Sequence, residues 1–314
     1  MKGFMDTLYG TDEMEQVIID IINSNVFQRL KYVHQGGAGF LVNERWNVTR
    51  YDHSIGTMIL AKRLGGNIQE QIASLLHDVS HTAFSHVIDY ILKNRDENYH
   101  DTNWRKVIDN SEIPLILRQH EIKIEEIYDV NYFALEADLP SLSIDRIDYT
   151  LRDMFHQEEI TREDINNFLS SLSTDNEQIC LNSTKVAEWF FKLYYKEVIG
   201  YFKNPLNLYV NETMTEILQT SLEKDIITIE DFQLTDDQLL NIVRNSEDDN
   251  IISKLDELIS MKNSTTQTKL PNDYSIKVKT RIIDPIVLIE NKSYKLTEIS
   301  EEAKKINNQI TQTN

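Results

Sequence analysis

Residues 75–90, with the sequence LLHDVSHTAFSHVIDY, constrain the fold of this chain more than any other stretch. Apolar residues recur through the stretch as in a buried helix, yet it also carries several histidines and aspartates. Burying so many ionisable groups is costly unless they are paired or bind a metal ion. The stretch therefore predicts a buried site whose polar groups have a partner. Its ionisable members are His77, Asp78, His81, His86 and Asp89.

The apolar pattern of the rest of the chain predicts a mainly α-helical protein. Apolar residues recur at three- and four-residue intervals, as at Ile68, Ile72 and Val79, and the 314 residues include only 5 Pro and 9 Gly. Residues 35–54 differ, because they begin with closely spaced glycines. They indicate a loop or small hairpin that leads to a helix beginning near Asp52.

The C-terminal part has a different pattern. In residues 274–299, SIKVKTR alternates with a period of two, IVLIE is rich in β-forming residues and NKSYKL follows it, so two or three strands are predicted. Residues 246–250 and 261–273 are polar and indicate loops. Residues 301–314 indicate a final helix that ends in a polar tail.

The composition excludes several classes of protein. Lys+Arg 32 against Asp+Glu 51 gives a net charge of -19, which repels phosphate backbones and argues against nucleic acid as a partner. The single Cys180 excludes an intrachain disulfide framework and a Cys-rich zinc site. No run approaches the roughly 18 apolar residues of a membrane span, and MKGFMDTLYG carries an acid where a signal peptide is basic and then apolar. We therefore expect a cytoplasmic protein without a membrane partner.

Two of the ionisable residues, His77 and Asp78, fall at the predicted end of the helix that begins near Ile68. Imidazole and carboxylate groups are ligands for Mn, Fe, Ni, Zn or Mg, but two of them alone hold an ion poorly. His53 and Asp145 lie in two other apolar helical segments with similarly isolated charges. We call these four residues the metal set. Other interpretations stay open, since His77 and Asp78 could be a surface or capping pair, His53 a helix-terminal histidine and Asp145 an N-cap.

Four sequence blocks carry a resemblance to a known family. They are FQRLKYVHQGG, TRYDHSIGTMILAKRL, LLHDVSHTAFSHVID and SIDRIDYTLRD, at residues 27–37, 49–64, 75–89 and 143–153. Together they resemble the HD superfamily of metal-dependent phosphohydrolases. Within it they resemble the deoxynucleoside triphosphate triphosphohydrolase branch, which includes the SAM-and-HD-domain type and its bacterial relatives. The resemblance is strong over residues 23–155 and continues weakly through RIIDPIVLIENKSYKLTEIS.

This resemblance implies a mainly α fold, in which an HD-domain helical core carries a small C-terminal α+β part. We predict three segments of the chain. Residues 1–170 form the catalytic core, residues 171–265 a helical extension that completes it, and residues 266–314 a strand-rich element with a polar tail. The resemblance also implies a homo-oligomer, either a dimer or a larger assembly.

By the same resemblance, the residues that bind a metal ion are His53, His77, Asp78 and Asp145. The ion would be divalent, and Mn, Fe, Mg, Ni and Zn are all compatible with such ligands. A cation that binds water and a phosphate oxygen generates the nucleophile and offsets the charge that develops at phosphorus.

The resemblance also implies catalytic roles for residues near the metal set. His81 would face a phosphate, and His86 would be an acid-base or phosphate-orienting group. Asp89 follows three residues later in a predicted helix, TAFSHVIDYIL, and would fix the tautomer of His86, although it could instead lie on a solvated helix face. His100 matches a second active-site histidine, and Asp101 follows it where the family has Glu.

Substrate contacts follow from the same resemblance. Two arginines would contact phosphate, and a tyrosine would contact both phosphate and sugar. A glutamine and an aspartate would contact the sugar. These residues are Gln35, Arg50, Arg146, Tyr149 and Asp153. Alternatively, the arginines are ion-paired surface groups and Tyr149 is a core aromatic residue.

The predicted function is metal-dependent hydrolysis of a nucleotide. The first choice of substrate is a deoxynucleoside triphosphate, hydrolysed to deoxynucleoside and triphosphate. One departure bears on it, because residues 193–205, LYYKEVIGYFKNP, contain no histidine where such triphosphohydrolases have one. The alternative enzyme class is an HD-type phosphodiesterase or 5'-nucleotidase. The alternative outside enzymes is a nucleotide-sensing protein that keeps the pocket. The histidines beside the metal set favour the enzyme, because a sensor needs no acid-base pair.

Overall fold

The computed structural model describes residues 2–263, 270 and 281–312 of the chain. Most of these residues are helical, which confirms the predicted fold class. The helices are α1 Gln16–Ile22, α2 Asn25–Gln28, α3 Arg50–Arg63, α4 Ile68–Leu76, α5 Val87–Ile91, α6 Tyr99–Asp109, α7 Ile113–Gln119, α8 Ile124–Tyr128, α9 Ile144–His156, α10 Arg162–Ser171, α11 Thr184–Glu197, α12 Pro205–Glu223, α13 Asp236–Arg244, α14 Asp249–Ser260, α15 Leu296–Ile299 and α16 Glu301–Gln312. A π-helical turn, Val198–Phe202, follows α11. Among the described residues, no helix combines the length and the apolar character needed to cross a bilayer.

The strands form two small sheets. They are β1 Lys2–Asp6, β2 Gly10–Met14, β3 Leu172–Asp175, β4 Gln178–Leu181, β5 Ile286–Ile289 and β6 Lys292–Lys295. The first sheet is the antiparallel hairpin of β1 and β2. The second has the order β3-β4-β5-β6, and its central pair, β4 and β5, is parallel. This pairing joins segments that lie more than 100 residues apart in the chain, so local sequence does not specify it.

Strands β5 and β6 confirm the prediction for IVLIE and NKSYKL. The strand predicted in SIKVKTR covers residues 275–281, of which only Arg281 is among the described residues. Strands β1 to β4 lie in parts of the chain where the sequence predicted no strand. These strands are four or five residues long, so an alternating pattern has little length in which to appear. The turn between β3 and β4 uses Asn176 and Glu177, both with positive φ, instead of the Asn-Gly pair that commonly signals such a hairpin.

The predicted loops and helix ends agree with the structure in most places. Residues 35–49 form a loop with one short 3-10 turn, and α3 begins at Arg50, two residues earlier than expected, because the Thr49 side chain caps it. The polar stretch 246–250 is loop only as far as Asp248, which caps α14. The final helix is α16. Residues 264–269 and 271–273 of the other predicted loop lie outside the described residues.

Helix α3 lies at the centre of the N-terminal half, where it packs against α4, α9 and strand β1. Because neighbours cover so many of its sides, most of its residues from His53 to Ala61 are buried. This burial brings the start of α3, the end of α4 and the start of α9 together. The predicted division at residues 170 and 265 stays a prediction; the second sheet takes two strands from each of the later segments.

Candidate active site

The metal set comes from three separate places in the chain. His53 lies in the first turn of α3, His77 and Asp78 directly follow α4, and Asp145 lies in the first turn of α9. His53 Nε2 is 3.1 Å from Asp145 Oδ1 and 3.6 Å from Asp78 Oδ2. His77 Nε2 is 3.5 Å from Asp78 Oδ1 and 3.8 Å from Asp145 Oδ1. The structure thus brings all four residues together, and because Ser143 caps α9, the alternative of Asp145 as N-cap is wrong.

The donor atoms of this set suit a divalent cation. One ligand atom each from His53, His77 and Asp78 lie within 4.8 Å of one another. His77 Nδ1 is 2.7 Å from the carbonyl oxygen of Ser74, and the buried Nε2 of the same ring has no hydrogen-bond partner among the described residues. Mixed imidazole and carboxylate ligands are typical of Mn, Fe, Ni and Zn sites. The cluster can therefore hold a divalent metal ion.

The electrostatics of the metal set also favour a cation. Burial disfavours the His53 imidazolium, but the carboxylates of Asp145 and Asp148 prevail and raise its pKa to about 10. Burial acts against the Asp78 carboxylate, but the charge of Arg50 prevails and holds the pKa of Asp78 well below its ordinary value. The carboxylates are therefore ionised, and they attract positive charge to this buried place.

Asp148 orients His53 and is absent from the residues predicted from the sequence. Its Oδ2 lies 2.8 Å from His53 Nδ1, so that ring turns its Nε2 towards the metal set. Tyr9 donates its hydroxyl to Asp148 Oδ1 at 2.8 Å, and Arg152 donates to both carboxylate oxygens at 2.9 and 3.0 Å. The sequence signal for this role is the spacing of three residues from Asp145, which places both carboxylates on one side of α9.

The chain before His86 is not helical, and the prediction of one continuous helix through TAFSHVIDYIL is wrong. Phe84 and Ser85 adopt left-handed conformations with φ of 58° and 52°, and α5 begins only at Val87. The predicted contact is present nevertheless, since His86 Nδ1 lies 3.2 Å from Asp89 Oδ2. Asp89 is completely buried, so the alternative of a solvated helix face is wrong.

His81 and His100 stack on each other beside the metal set. Their ring centroids are 3.8 Å apart and the planes differ by 18°. His81 Nε2 lies 3.2 Å from Asp78 Oδ1. Burial lowers the pKa of both rings, that of His100 to about 3, so both are neutral near pH 7. The His86 ring lies 5.0 Å from that of His81, so the predicted catalytic residues form one cluster.

A cavity of about 650 Å³ opens beside these histidines, and all five predicted substrate contacts line it. Arg50 is buried and donates from Nη1 to Asp78 Oδ2 at 2.6 Å, so the alternative of a surface ion pair is wrong for this residue. Arg146 donates from Nη1 to the carbonyl oxygens of Ala137 and Ser141 at 2.6 and 3.0 Å. Its guanidinium thus also holds the loop before α9 in place.

The cavity wall also contains the polar side chains of Gln35, Tyr149 and Asp153, and the acid Glu197 lies behind Asp153. The Gln35 Oε1 atom is buried without a hydrogen-bond partner among the described residues. The hydroxyls of Tyr149 and Tyr194 lie 3.4 Å apart. Burial raises the pKa of Asp153 to about 7 and that of Glu197 well above its ordinary value, so a proton stays on this pair. Glu197 is absent from the predicted residues.

A further unpredicted residue, Arg281, lines the same cavity from the C-terminal segment, and Tyr201 and Phe202 line it from the π-helical turn. Arg281 lies in the stretch whose resemblance to the family is weak. Nothing in its local sequence distinguishes it from other basic residues, because its neighbours in the cavity come from distant segments. The sequence signal for Glu197 is equally slight: a single acid at the end of an aromatic helix.

Residues 50–163 match the family described as HD domain. Over 303 residues the chain is 44% identical to the protein YdhJ of Bacillus subtilis, an alignment that covers 96% of this chain and 93% of that protein. It is 30% identical to the metal-dependent phosphohydrolase cns2 of Cordyceps militaris, over 76% of this chain and 72% of that protein. It is also 30% identical to the mouse deoxynucleoside triphosphate triphosphohydrolase SAMHD1, over 40% of this chain but only 23% of that protein. The matched domain contains the whole metal set.

Proposed function

Because this chain belongs to the HD-domain metal-dependent phosphohydrolases, we propose that its substrate is a deoxynucleoside triphosphate, hydrolysed to deoxynucleoside and triphosphate. The observation that carries the proposal is the cavity of about 650 Å³, whose wall contains His77, Asp78 and Asp145 of the metal set, the catalytic histidines and the predicted sugar contacts. Its volume falls in the range of small-molecule sites, roughly 300–1,000 Å³. The triphosphohydrolase SAMHD1 among the similar proteins supports the same substrate.

In this proposal His53, His77, Asp78 and Asp145 would hold the metal ion. A divalent ion there would act as a Lewis acid on a phosphate oxygen and lower the pKa of bound water. Arg50 donates to Asp78 within the cavity wall, which places a positive charge beside the phosphate that reacts. The geometry of the set follows from buried helix contacts, so it is formed before substrate binds.

The chain's own histidines would handle the proton. His86 has its Nδ1 beside Asp89, so its Nε2 is the nitrogen that can exchange a proton with the leaving oxygen. Asp89 Oδ1 also accepts from the side chain of Asn94 at 2.7 Å and from the backbone N–H of Tyr99 at 3.1 Å. His100 is in the first turn of the same helix as Tyr99, so Asp89 positions both histidines. His81 would face the phosphate as a neutral ring.

At the other side of the cavity the polar groups would bind the sugar. The Gln35 carbonyl oxygen, which is buried and lacks a partner among the described residues, can accept from a sugar hydroxyl. Asp153 can accept from a hydroxyl or donate its retained proton, since its pKa is raised to about 7 by burial. The buried ring of Tyr149 lies one turn before it in α9 and would pack against the sugar.

The product of hydrolysis tests this proposal. We expect purified protein with Mn, Fe or Mg to release inorganic triphosphate from deoxynucleoside triphosphates, as resolved by chromatography. His77→Ala and Asp78→Ala variants should lose bound metal and turnover together, because each removes one ligand. Turnover that survives loss of the metal contradicts the mechanism. Release of orthophosphate or pyrophosphate from triphosphates contradicts the substrate proposal.

A second candidate is a 5'-nucleotidase or phosphodiesterase of the same family. The observation in its favour is that Glu97 and Glu136 also line the cavity, where their charge opposes a long phosphate chain. The same assay with nucleoside monophosphates and cyclic dinucleotides distinguishes the two candidates. Orthophosphate released from monophosphates alone would select the nucleotidase. The homo-oligomer expected from the resemblance stays a prediction.

A further inference from the structure

Arg281 lines the cavity from the C-terminal segment of the chain. Its Nη2 atom lies 3.8 Å from Glu97 Oε2, and the guanidinium carbon lies 5.5 Å from the centroid of the Phe202 ring. Both side chains line the cavity, where that of Arg281 is 30% exposed and that of Glu97 is 11% exposed. A flat guanidinium against an aromatic face is a preferred arrangement, and it limits the orientations of the arginine.

The charge of Arg281 acts on phenols that belong to different helices. Burial raises the pKa of Tyr149 and of Tyr194, and the charge of Arg281 opposes that rise in both. Burial likewise raises the pKa of Tyr90, and Arg281 opposes it there as well. Tyr90 belongs to α5, the helix that follows His86, whereas Tyr149 belongs to α9. The guanidinium is therefore close to α5, the helix next to the proposed acid, and to α9, the helix that carries Asp145 of the metal set.

The other two arginines of the cavity have fixed partners. Arg50 donates to Asp78 and to the Ser85 hydroxyl, and Arg146 donates to backbone carbonyls. Arg281 has five N–H donors; it hydrogen-bonds the Tyr149 side chain, and its ion pair with Glu97 is long at 3.8 Å. An anion that approaches from the cavity can compete with this contact more readily than with the shorter ones. Arg281 is thus the cavity arginine best placed to exchange a protein carboxylate for a substrate anion.

We propose that Arg281 is a specificity-determining residue, which binds a substrate phosphate beyond the phosphate that reacts. When a polyphosphate enters the cavity, Arg281 gives up its ion pair with Glu97 and binds this phosphate. This inference rests on the proposed function and deepens it, because it concerns the length of the phosphate chain. Arginine binds phosphate through two parallel N–H donors, which gives both affinity and geometry. By this proposal, a single phosphate held at the metal set would gain no affinity from Arg281.

Binding of inorganic phosphates tests the inference without requiring turnover. Calorimetric titrations with tripolyphosphate and with orthophosphate, at one fixed concentration of divalent ion, would compare four proteins. These are the wild type and the variants Arg281→Gln, Arg281→Lys and Glu97→Gln. Arg45→Gln is the matched control, since Arg45 forms an arginine–glutamate pair with Glu158 at 2.6 Å on the exposed surface. Thermal melting of each variant shows whether it is folded.

We expect Arg281→Gln to weaken tripolyphosphate binding about 10- to 100-fold, the value of a charged hydrogen bond, while orthophosphate binding changes little. Arg281→Lys keeps the positive charge but lacks the two parallel N–H donors, so its affinity for tripolyphosphate should lie between those of the wild type and Arg281→Gln. Glu97→Gln should strengthen tripolyphosphate binding, and Arg45→Gln should change neither ligand. The inference would be overturned if Arg281→Gln lost the same affinity for tripolyphosphate and orthophosphate, or lost no affinity for tripolyphosphate. If Arg281→Gln does not fold, Arg281→Lys and Glu97→Gln decide alone.

The result is separable from the test of the proposed function. A wild type that binds tripolyphosphate through Arg281 but hydrolyses only monophosphates keeps the polyphosphate-binding role of Arg281 and loses the triphosphate proposal, and with it the role of Arg281 in substrate specificity. A wild type that releases triphosphate, with KM and kcat unchanged in Arg281→Gln, keeps the proposed function and loses this inference. Where both hold, Arg281→Gln should raise KM for deoxynucleoside triphosphates more than it lowers kcat, because the chemistry occurs at the metal set.

Discussion

In three histidines of the site, a hydrogen bond at Nδ1 fixes the orientation of the ring and therefore the direction in which Nε2 points. His53, His77 and His86 each place Nδ1 against a protein oxygen, at 2.8, 2.7 and 3.2 Å. An acceptor at Nδ1 keeps a proton on that nitrogen, so Nε2 is the nitrogen that can give up its proton and bind a metal ion or exchange a proton with substrate. The acceptors, Asp148 and Asp89 among them, therefore decide which atoms face the metal set and the cavity.

The substitution Asp148→Asn tests this role at the scale of one residue. An amide has one oxygen, whereas His53 and Arg152 together require acceptors at both positions of this buried group. We expect the affinity for Mn²⁺ to fall about 10- to 100-fold, as with other residues behind a metal-binding histidine. The measurement is a calorimetric titration of metal-free protein with Mn²⁺.

Asp20→Asn is the matched control for this titration. Asp20 also contacts a histidine, His120, with Oδ2 and Nε2 2.7 Å apart, but this pair lies far from the metal set in sequence and is partly exposed. Its substitution should leave Mn²⁺ affinity at the wild-type value. Wild-type affinity in Asp148→Asn as well would show that Asp148 has no part in orienting His53.

At the scale of elements, the approach of α9 to α3 depends on Gly56. A Cβ atom at Gly56 would lie 1.9 Å from Asp148 Oδ1 and 2.2 Å from Arg152 Nη2. Both of those side chains are completely buried, and Arg152 is also paired with Asp6 at 3.2 Å. Asp148 and Arg152 have no space into which to move. Because Gly56 has no side chain, the Asp148 carboxylate can reach His53.

The substitution Gly56→Ala should therefore destabilise the protein despite the higher helix propensity of alanine. We expect the free energy of unfolding to fall by about 1–3 kcal/mol, as for an added methyl group in a packed interior. Mn²⁺ affinity should fall with it, because Asp148 is displaced from His53. Urea denaturation measures the first effect, and Gly200→Ala, where no atom lies within 4 Å of the added Cβ, is the control. An increase in stability would contradict this account of the helix contact.

A second element, α13, holds two loops of the site in place. Asp236, its first residue, accepts from the backbone N–H of His34 at 2.9 Å and from that of Phe84 at 2.7 Å, and it also contacts the His34 ring at 2.7 Å. One carboxylate thus ties the loop that carries Gln35 to the left-handed turn before His86. This long-range contact is the physical reason why a stretch with a helical pattern, TAFSHVIDYIL, is not one helix.

At the scale of the whole molecule, three distant parts of the chain enclose the cavity. The first contains α3, α4 and α9, the second the π-helical turn Val198–Phe202, and the third Arg281. The parallel pairing of β4 with β5 connects the last two parts, since Cys180 pairs with Ile286 only a few residues after Arg281. Folding of the complete chain is therefore needed to form the cavity.

The pH dependence of stability of the whole molecule should reflect the acid pair inside it. The pKa of Asp153 is raised to about 7 by burial, whereas an unfolded aspartate titrates near 3.9. Between about pH 4 and pH 7 the folded chain therefore binds more protons than the unfolded chain, so the free energy of unfolding falls as pH rises. Above pH 7 this contribution is constant and unfavourable.

The substitution Asp153→Asn removes this titration. From pH 5 to pH 8 we expect the wild type to lose on the order of 2 kcal/mol relative to the variant, measured by urea denaturation at constant ionic strength. Asp256→Asn, at an exposed position of α14, should keep the wild-type slope. Parallel curves for wild type and Asp153→Asn would show that burial does not raise the pKa of this acid.

The sequence by itself determined the helical class, strands β5 and β6, and the histidines and aspartates that meet in the structure. These features have local patterns, because helix periodicity and short motifs involve residues within one or two turns of each other. Tertiary structure alone decided that Asp148 contacts His53, that the buried Glu197 lies close enough to Asp153 for their charges to interact, and that Arg281 lines the cavity. Their roles depend on contacts between segments far apart in the chain, and a buried charge acquires its partner only when the helices and sheets pack.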